Sequence, residues 1–468
     1  MRFPGGCAGR FSTIPGVLCY TPTGAMDATT ASEVLILGGG LAGLNAGLTL
    51  SDHPEVAFRI IEKSDRVGGF CQTEVREGFS FDKTGHWLHL RDAGMRDLVH
   101  RLMADNLVTL KRSARIYSHG RYTPYPYQVN THDLPPEVAA ECVLGFIDAQ
   151  LGPGGERLRR EEPKTFGDFI RRHLGEGFGK HFMFPYNTKL WTVHPDELGA
   201  AWCGRFVPRP NLETVVKGSL GIVDEGGYNS SFLYPREGGI EALPKAFLPH
   251  LKGPVQPNRH PIAIDWKRRS LKLSDGETLS YRGLISTIPL PELVEICEGA
   301  PAAALAAARK LRATIVTYVN VAARNETPAH HWVYFPEPSF PFYRVGSASA
   351  IYPKLAPPGT RSFYVEFSSL TGLDPGKAEA EAIEGLLRCG LLRDRNEVLF
   401  AFARDIPGAY VLYDKEYGAA KQTILDFLRE AQIETCGRYG NWEYGGMEDA
   451  MLGGKSAAER VLSRLGIH

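Results

Sequence analysis

Val34-Leu35-Ile36-Leu37-Gly38-Gly39-Gly40-Leu41-Ala42-Gly43, continued through Leu44–Ser51 to Phe58-Arg59-Ile60-Ile61-Glu62, is the stretch whose reading decides the fold. Its first four residues form an apolar run of the kind found in buried parallel strands. The next six fit G-x-G-x-x-G, a helical run spans Leu44 to Ser51, and a second apolar strand ends on Glu62. Each part has a physical role in a dinucleotide site. Gly38 permits the tight turn, Gly40 lets the backbone approach a pyrophosphate, and Gly43 lets helix and strand pack closely. The helix N-terminus offers free N–H groups and a partial positive charge. Glu62 lies nineteen residues past Gly43, where a ribose-binding carboxylate belongs. The glycine spacing alone is weak evidence. Strand, turn, helix, strand and acid in this order predict a βαβ unit.

The chain has 468 residues, enough for a large core and two or three domains. Lys plus Arg and Asp plus Glu are both 53, a formal net charge of zero that gives no reason to expect nucleic acid. No short basic run points to a membrane surface, and no apolar run approaches the ~20 residues of a spanning helix. Cys7, Cys19, Cys71, Cys142, Cys203, Cys297, Cys389 and Cys436 form no C-x-x-C pair and no Cys/His cluster of zinc spacing. They read as reduced thiols of a cytoplasmic protein, and no metal site is expected. Residues 1–30, rich in Gly, Pro and Thr, read as a disordered or mis-called extension with no signal peptide, Met26 being an alternative start.

Beyond the βαβ unit, Glu62-Lys63-Ser64-Asp65-Arg66-Val67-Gly68-Gly69 has the form E-x-x-x-x-x-G-G. Read alone, Gly68-Gly69 is either a plain turn or part of the site. The run resembles the second half of the flavoprotein motif shared by amine oxidases, protoporphyrinogen oxidases and UDP-galactopyranose mutases. The resemblance implies FAD, with Arg66, Gly68 and Gly69 along its diphosphate and ribityl chain. Lys83-Thr84-Gly85-His86-Trp87 either buries a packed histidine or faces a ligand. It resembles the glycine-histidine loop beside the flavin ring in the mutases, which makes His86 a catalytic candidate.

Phe182-Met183-Phe184-Pro185-Tyr186-Asn187-Thr188-Lys189-Leu190-Trp191 is similar to the mutase signature F-M-x-P-Y-N-x-K-x-W, implying substrate roles for Tyr186, Asn187 and Trp191. In mutases of the eukaryotic type the residue after Met is an arginine that binds the substrate diphosphate, and here it is Phe184. Ala201–Arg205 and Arg209-Pro210-Asn211 continue the likeness and add Asn211. His331–Pro336 and Pro341–Val345 match the mutase pattern, with Tyr334 and Arg344 ten residues apart. In the family both reach the diphosphate. On its own, an arginine flanked by Phe342, Tyr343 and Val345 is either a surface strand residue or is aimed at an anion in a pocket. Ala409-Tyr410 resembles a further substrate tyrosine. The glycine-rich run Gly437–Ala450 resembles the loop at the flavin's pyrimidine edge, implying cofactor roles for Arg438, Met447 and Glu448 and a substrate role for Tyr444.

The expected fold is α/β. A Rossmann-type FAD-binding domain (31–93, 232–290 and 420–468) is split by a mainly helical insertion (94–231) and an antiparallel β-sheet substrate domain (291–419). Helix is expected over 94–110, a hairpin over 115–126, and a turn at Asp275-Gly276. The resemblance, which covers about residues 33 to 465, implies an FAD-dependent isomerase that interconverts pyranose and furanose forms of a nucleotide sugar. In that family reduced flavin N5 attacks the anomeric carbon, and the adduct opens and recloses; NAD(P)H is a candidate reductant. Arg344 is a candidate catalytic residue beside His86. The alternatives are an FAD-dependent oxidase or desaturase of the protoporphyrinogen oxidase or amine oxidase type, which Phe184 favours, and a flavin-binding protein without catalysis.

Overall fold

A computed structural model describes residues 33–153, 155–222, 231–324 and 330–467. The expected N-terminal extension therefore lies outside the described residues.

The apolar runs at 34–37 and 58–61 are the middle of a five-stranded parallel sheet. Its order is Ile433–Thr435, Gly283–Ser286, Glu33–Leu37, Ala57–Ile61, Val255–Gln256. Strand alternation sends Val34, Ile36, Phe58 and Ile60 to one face, where helices Leu41–Ser51 and Met447–Leu465 cover them. Leu35, Leu37, Ile61 and Leu284 go to the other face, under helix Tyr417–Glu430 and a three-stranded antiparallel sheet spanning 261–280. Burial on both faces is what continuous apolar strands require. The expected turn sits between the second and third strands of the small sheet, with Gly276 at φ 93°.

The first and last helices cross very closely. Asn45 Nδ2 donates to Met451 O at 2.7 Å, and a Cβ on Gly454 would lie 2.0 Å from Ala42 O.

The second large sheet has seven strands, in the order Val398–Ile406, Ile315–Ala323, Arg361–Ser369, Arg344–Gly346, Trp332–Tyr334, Ala114–Ser118, Arg121–Pro124. It is antiparallel except for one pair: Ala114–Ser118 runs parallel to Trp332–Tyr334. So two of its strands come from within the stretch expected to be mainly helical. They form the expected hairpin, turning through His119 and Gly120, both at positive φ as a two-residue turn demands. The helix expected over 94–110 ends at Met103, and Leu107–Lys111 is a strand paired with Ser231–Pro235. Alternation takes over there because the pairing strand offers one apolar face.

One face of this sheet carries Val319, Val333, Val345 and Val365 against helix Pro375–Arg388. The opposite face carries one row across three strands: Tyr334 pairs with Arg344, and Arg344 with Glu366. The helices between Pro136 and Trp191 close over this row: Tyr186 meets Tyr334, and Phe182 stacks on Tyr186 behind it. Six cysteines fall in the described residues, and all six are buried free thiols. Among the described residues no helix is long and apolar enough to cross a membrane, and no group of three His, Cys, Asp or Glu could hold a metal ion.

Candidate functional site

The glycine turn is built as a cradle. Gly38, at φ 105°, donates its N–H to Ile61 O at 2.8 Å, and a Cβ there would meet Thr287 Oγ1. A Cβ on Gly43 would sit 1.9 Å from Gly38 O, so helix and turn touch backbone to backbone. Gly40 differs: nothing lies within 4 Å of where its Cβ would be. The helix it opens has no side-chain cap and no acid in its first turn, so its N–H groups have no protein anion. Glu62, buried at the end of the second strand, accepts from Gly39 N at 2.6 Å and Ser64 N at 2.7 Å. Gly68 N donates to Gly39 O at 2.8 Å, which lays the Gly68-Gly69 backbone over the turn. Open space at Gly40, free N–H groups and a fixed carboxylate suit a dinucleotide.

Arg66 is engaged by the protein itself: Nη1 lies 3.2 Å from an oxygen of the buried Glu241. That carboxylate also takes Thr73 N at 3.1 Å and Lys245. Nearby, Asp82 accepts from Thr73 Oγ1, Tyr234 OH and Ile240 N, tying the hairpin Thr73–Asp82 to the returning chain. Burial pushes the Asp82 carboxyl up to about 6.

His86 leads from that hairpin toward the large sheet. Its Nδ1 is buried and has no protein partner. Burial, and then the Arg438 guanidinium, push its pKa down to about 4, with Arg344 adding to the effect, so the ring is neutral at pH 7. The two guanidiniums that act on His86 sit on a string of aromatic rings. Tyr125 stacks on Tyr334 at 5.0 Å, Tyr334 meets Tyr186 edge-on at 5.5 Å, and Tyr186 meets Tyr343 at 6.3 Å. Tyr343 meets Tyr410 at 6.4 Å, and Tyr410 stacks on Tyr444 at 5.9 Å. Arg344 lies over Trp332 and Tyr343, and Arg438 lies over Tyr410 and Tyr444. Trp191 stands edge-on to Tyr410 and Tyr444 and accepts no role in charge pairing; its indole N–H donates to Asn187 Oδ1 at 3.3 Å.

Thus His86, Tyr186, Trp191, Tyr334, Arg344, Tyr410, Arg438 and Tyr444 come together, with Asn187 supporting Trp191. Asn211 does not join them: it is exposed and caps helix Leu212–Ser219 through Thr214 N at 2.8 Å. The Glu448 carboxylate accepts from Arg91 N and Asp92 N, and Met447 packs into the core beside the parallel sheet. Phe184 faces away from the tyrosine string in its ring contacts, stacking with His194 at 5.3 Å under the Arg171 guanidinium.

Sequence reasoning missed four residues here. Glu366, 1 % exposed, holds Arg344 with two hydrogen bonds, from Nε and from Nη2 at 2.8 Å. An acid inside the apolar run Phe363–Phe367 was its signal, since a buried carboxylate needs a cation. Lys189 Nζ donates to Glu337 O, Phe340 O and Phe342 O at 2.7–3.1 Å, fixing the loop that leads to Tyr343 and Arg344. Arg112 and Trp332 complete the group. Arg112 Nη2 donates to Tyr334 OH at 3.1 Å, and its guanidinium lies over Tyr125 and Trp332.

The model of the family described as flavin containing amine oxidoreductase matches residues 41–462. The chain belongs to the flavin-containing amine oxidoreductase family. Among solved structures, the chain is similar to a reduced UDP-galactopyranose mutase, with a TM-score of 0.85 and 26 % identity, covering 92 % of this chain and 96 % of that one. A protein described as a putative protoporphyrinogen oxidase from Exiguobacterium sp. 255-15 shares the fold, with a TM-score of 0.73 and 17 % identity over 93 % and 100 % of the two chains. Two curated members match over shorter segments. Polyamine oxidase 2 of Arabidopsis thaliana is 25 % identical over 27 % of this chain and 26 % of its own length. dTDP-fucopyranose mutase of Escherichia coli is 23 % identical over 39 % of this chain and 48 % of its own. The match therefore spans about a quarter of the oxidase and about half of the mutase. The chain is thus a flavoprotein of an enzyme family, similar in parts or in fold both to oxidases and to mutases.

Proposed function

We propose that this protein is an FAD-dependent mutase acting on a nucleotide sugar, interconverting its pyranose and furanose forms. The observation that carries this reading is the aromatic string with Arg344 and Arg438 set around a neutral His86. Such a wall of tyrosines and guanidiniums suits a sugar joined to a diphosphate. Residues 31–93, 232–290 and 420–468 would hold FAD, with Glu62 at the adenosine ribose and the Gly40 helix at the diphosphate. Bound in its reduced form, FAD would supply the nucleophile that the chain's own side chains lack.

The protein's part is to bind, orient and keep water out. Tyr334, Tyr410 and Tyr444 would grip the diphosphate side of the substrate, with Arg344 fixed by Glu366 behind them. His86, neutral at pH 7, would offer its unpartnered Nδ1 to a hydroxyl or ring nitrogen beside it. NAD(P)H is the proposed source of reducing electrons.

The test is to incubate dithionite-reduced, flavin-loaded protein with UDP-, dTDP- and GDP-sugars and to resolve pyranose from furanose by chromatography. Conversion without net consumption of reductant is expected. The family match favours a second reading, a flavin oxidase. Oxygen uptake with an amine or porphyrinogen substrate, and no sugar conversion, would establish that reading instead.

A further inference from the structure

The hairpin at the edge of the seven-stranded sheet touches the helical insertion through two imidazoles. His119 Nε2 lies 3.2 Å from His181 Nδ1, with the ring planes 61° apart. His119 occupies the hairpin turn at φ 52°, left-handed backbone that glycine or asparagine takes at less cost. Its backbone N–H donates to the Glu337 carboxylate. His181 lies on the single π-helical turn Gly179–Met183 that opens helix Phe184–Trp191. Its side chain is 9 % exposed, so the ring is held in place. Its Nε2 is 2.9 Å from Glu141 Oε2, and Lys180 pairs with the same carboxylate at 2.7 Å.

The carboxylate decides what the two rings can do. An ionised Glu141 can only accept, so His181 keeps a proton on Nε2 and, when neutral, presents a bare lone pair at Nδ1. That lone pair faces His119 Nε2. A carboxylate behind the far nitrogen is also how metal-ligating histidines are oriented. Two imidazole nitrogens, each about 2.0–2.1 Å from one tetrahedral Zn2+, stand about 3.3 Å apart. The 3.2 Å between these two nitrogens fits that spacing. Moving the His119 proton from Nε2 to Nδ1 frees the second lone pair and leaves the ring neutral.

We infer that His119 and His181 form a two-histidine site for Zn2+ or a similar imidazole-seeking divalent metal, clamping the hairpin to the helical insertion. Among the described residues no third His, Cys, Asp or Glu completes the set, so water fills the remaining positions. The metal is therefore exchangeable, a reversible clamp and not a resident cofactor. Helix Phe184–Trp191 begins where the π-turn ends and carries Tyr186 and Trp191. An occupied clamp fixes that helix against the sheet. This inference goes beyond the nucleotide-sugar reading and does not depend on it.

The test uses tag-free, flavin-loaded protein stripped with a chelator, titrated calorimetrically with ZnCl2 and with MgCl2 at about pH 7.5, above the ordinary histidine pKa. The variants are His119→Asn, which suits a left-handed turn, and His181→Gln, which can still donate to Glu141. Flavin absorbance and the melting temperature without metal verify that each is folded. Wild type should take up one Zn2+ that each variant binds at least about tenfold more weakly, whereas Mg2+, which prefers oxygen ligands, should bind to none of them at this site. Zn2+ should raise the melting temperature of wild type and leave both variants within error. Uptake should fall away below about pH 6, as the imidazoles take up protons. The same Zn2+ stoichiometry and affinity in wild type and both variants overturns the inference. So does a loss in only one variant, or wild type that binds no Zn2+. Each of these outcomes leaves the nucleotide-sugar reading to its own assay.

Discussion

Gly38, Gly40 and Gly43 meet three different surroundings, and substitution separates their roles. Valine at position 38 or 43 would strike protein atoms within 2.0 Å, and the fold itself would suffer. Gly40 has φ −74°, which valine adopts freely, and faces open space. Gly40→Val should therefore give folded, colourless protein whose melting temperature equals that of flavin-stripped wild type. Yellow protein with full flavin content would show that the dinucleotide does not lie over this turn. Arg344→Ala reads differently. Glu366 would be left as a buried carboxylate without its cation, at a cost of about 3–5 kcal/mol of stability by denaturant unfolding. A loss of ligand binding in that variant would report a damaged wall, whereas a stability within error of wild type would mean Glu366 has found another partner.

The close crossing of the first and last helices gives an element-scale test with its control next door. A Cβ on Gly454 would lie 2.0 Å from Ala42 O, whereas the nearest atom to a Cβ on Gly453 is 3.4 Å away. Gly454→Ala should cost about 1–3 kcal/mol and loosen flavin retention. Gly453→Ala should be neutral or slightly stabilising through helix propensity; equal effects from the two would argue against this packing. Elements whose signals are local were legible in the sequence: the two apolar strands, the helix Leu41–Ser51 between them, the hairpin at 114–124 and the turn at Asp275-Gly276. The parallel seam between Ala114–Ser118 and Trp332–Tyr334 was not, because periodicity carries no record of which strand lies alongside. The same blindness hid part of the site. Tyr334, Arg344, Tyr410 and Arg438 stood inside recognisable motifs, while Arg112 reaches them only through that seam. Asn211 illustrates the converse, a residue within a motif that serves its own helix as a cap.

At the scale of the whole molecule, acid should be destabilising. His86, His89, His173 and His331 are all pushed down to about 4 from 6.5, burial being the first cause in each. Between pH 6.5 and 4 the unfolded chain takes up protons that the folded chain refuses, so their contribution is full above 6.5 and drains away as pH falls. Asp82, raised from 3.8 to about 6, acts oppositely, its folded form holding a proton in much of that window. Four groups outweigh one, and the melting temperature should drop steadily from pH 7 to pH 4.5. A flat or rising profile would contradict the buried, neutral histidines. The close packing of helix Met447–Leu465 on helix Leu41–Ser51 also has a consequence for synthesis. The cradle begun at residue 33 has its covering helix and its edge strand Ile433–Thr435 supplied some four hundred residues later. A ribosome must therefore carry a half-made cofactor pocket through most of translation. Nascent chains arrested before residue 430 should leave the parallel sheet exposed on one face, as clients for chaperones and unable to retain flavin.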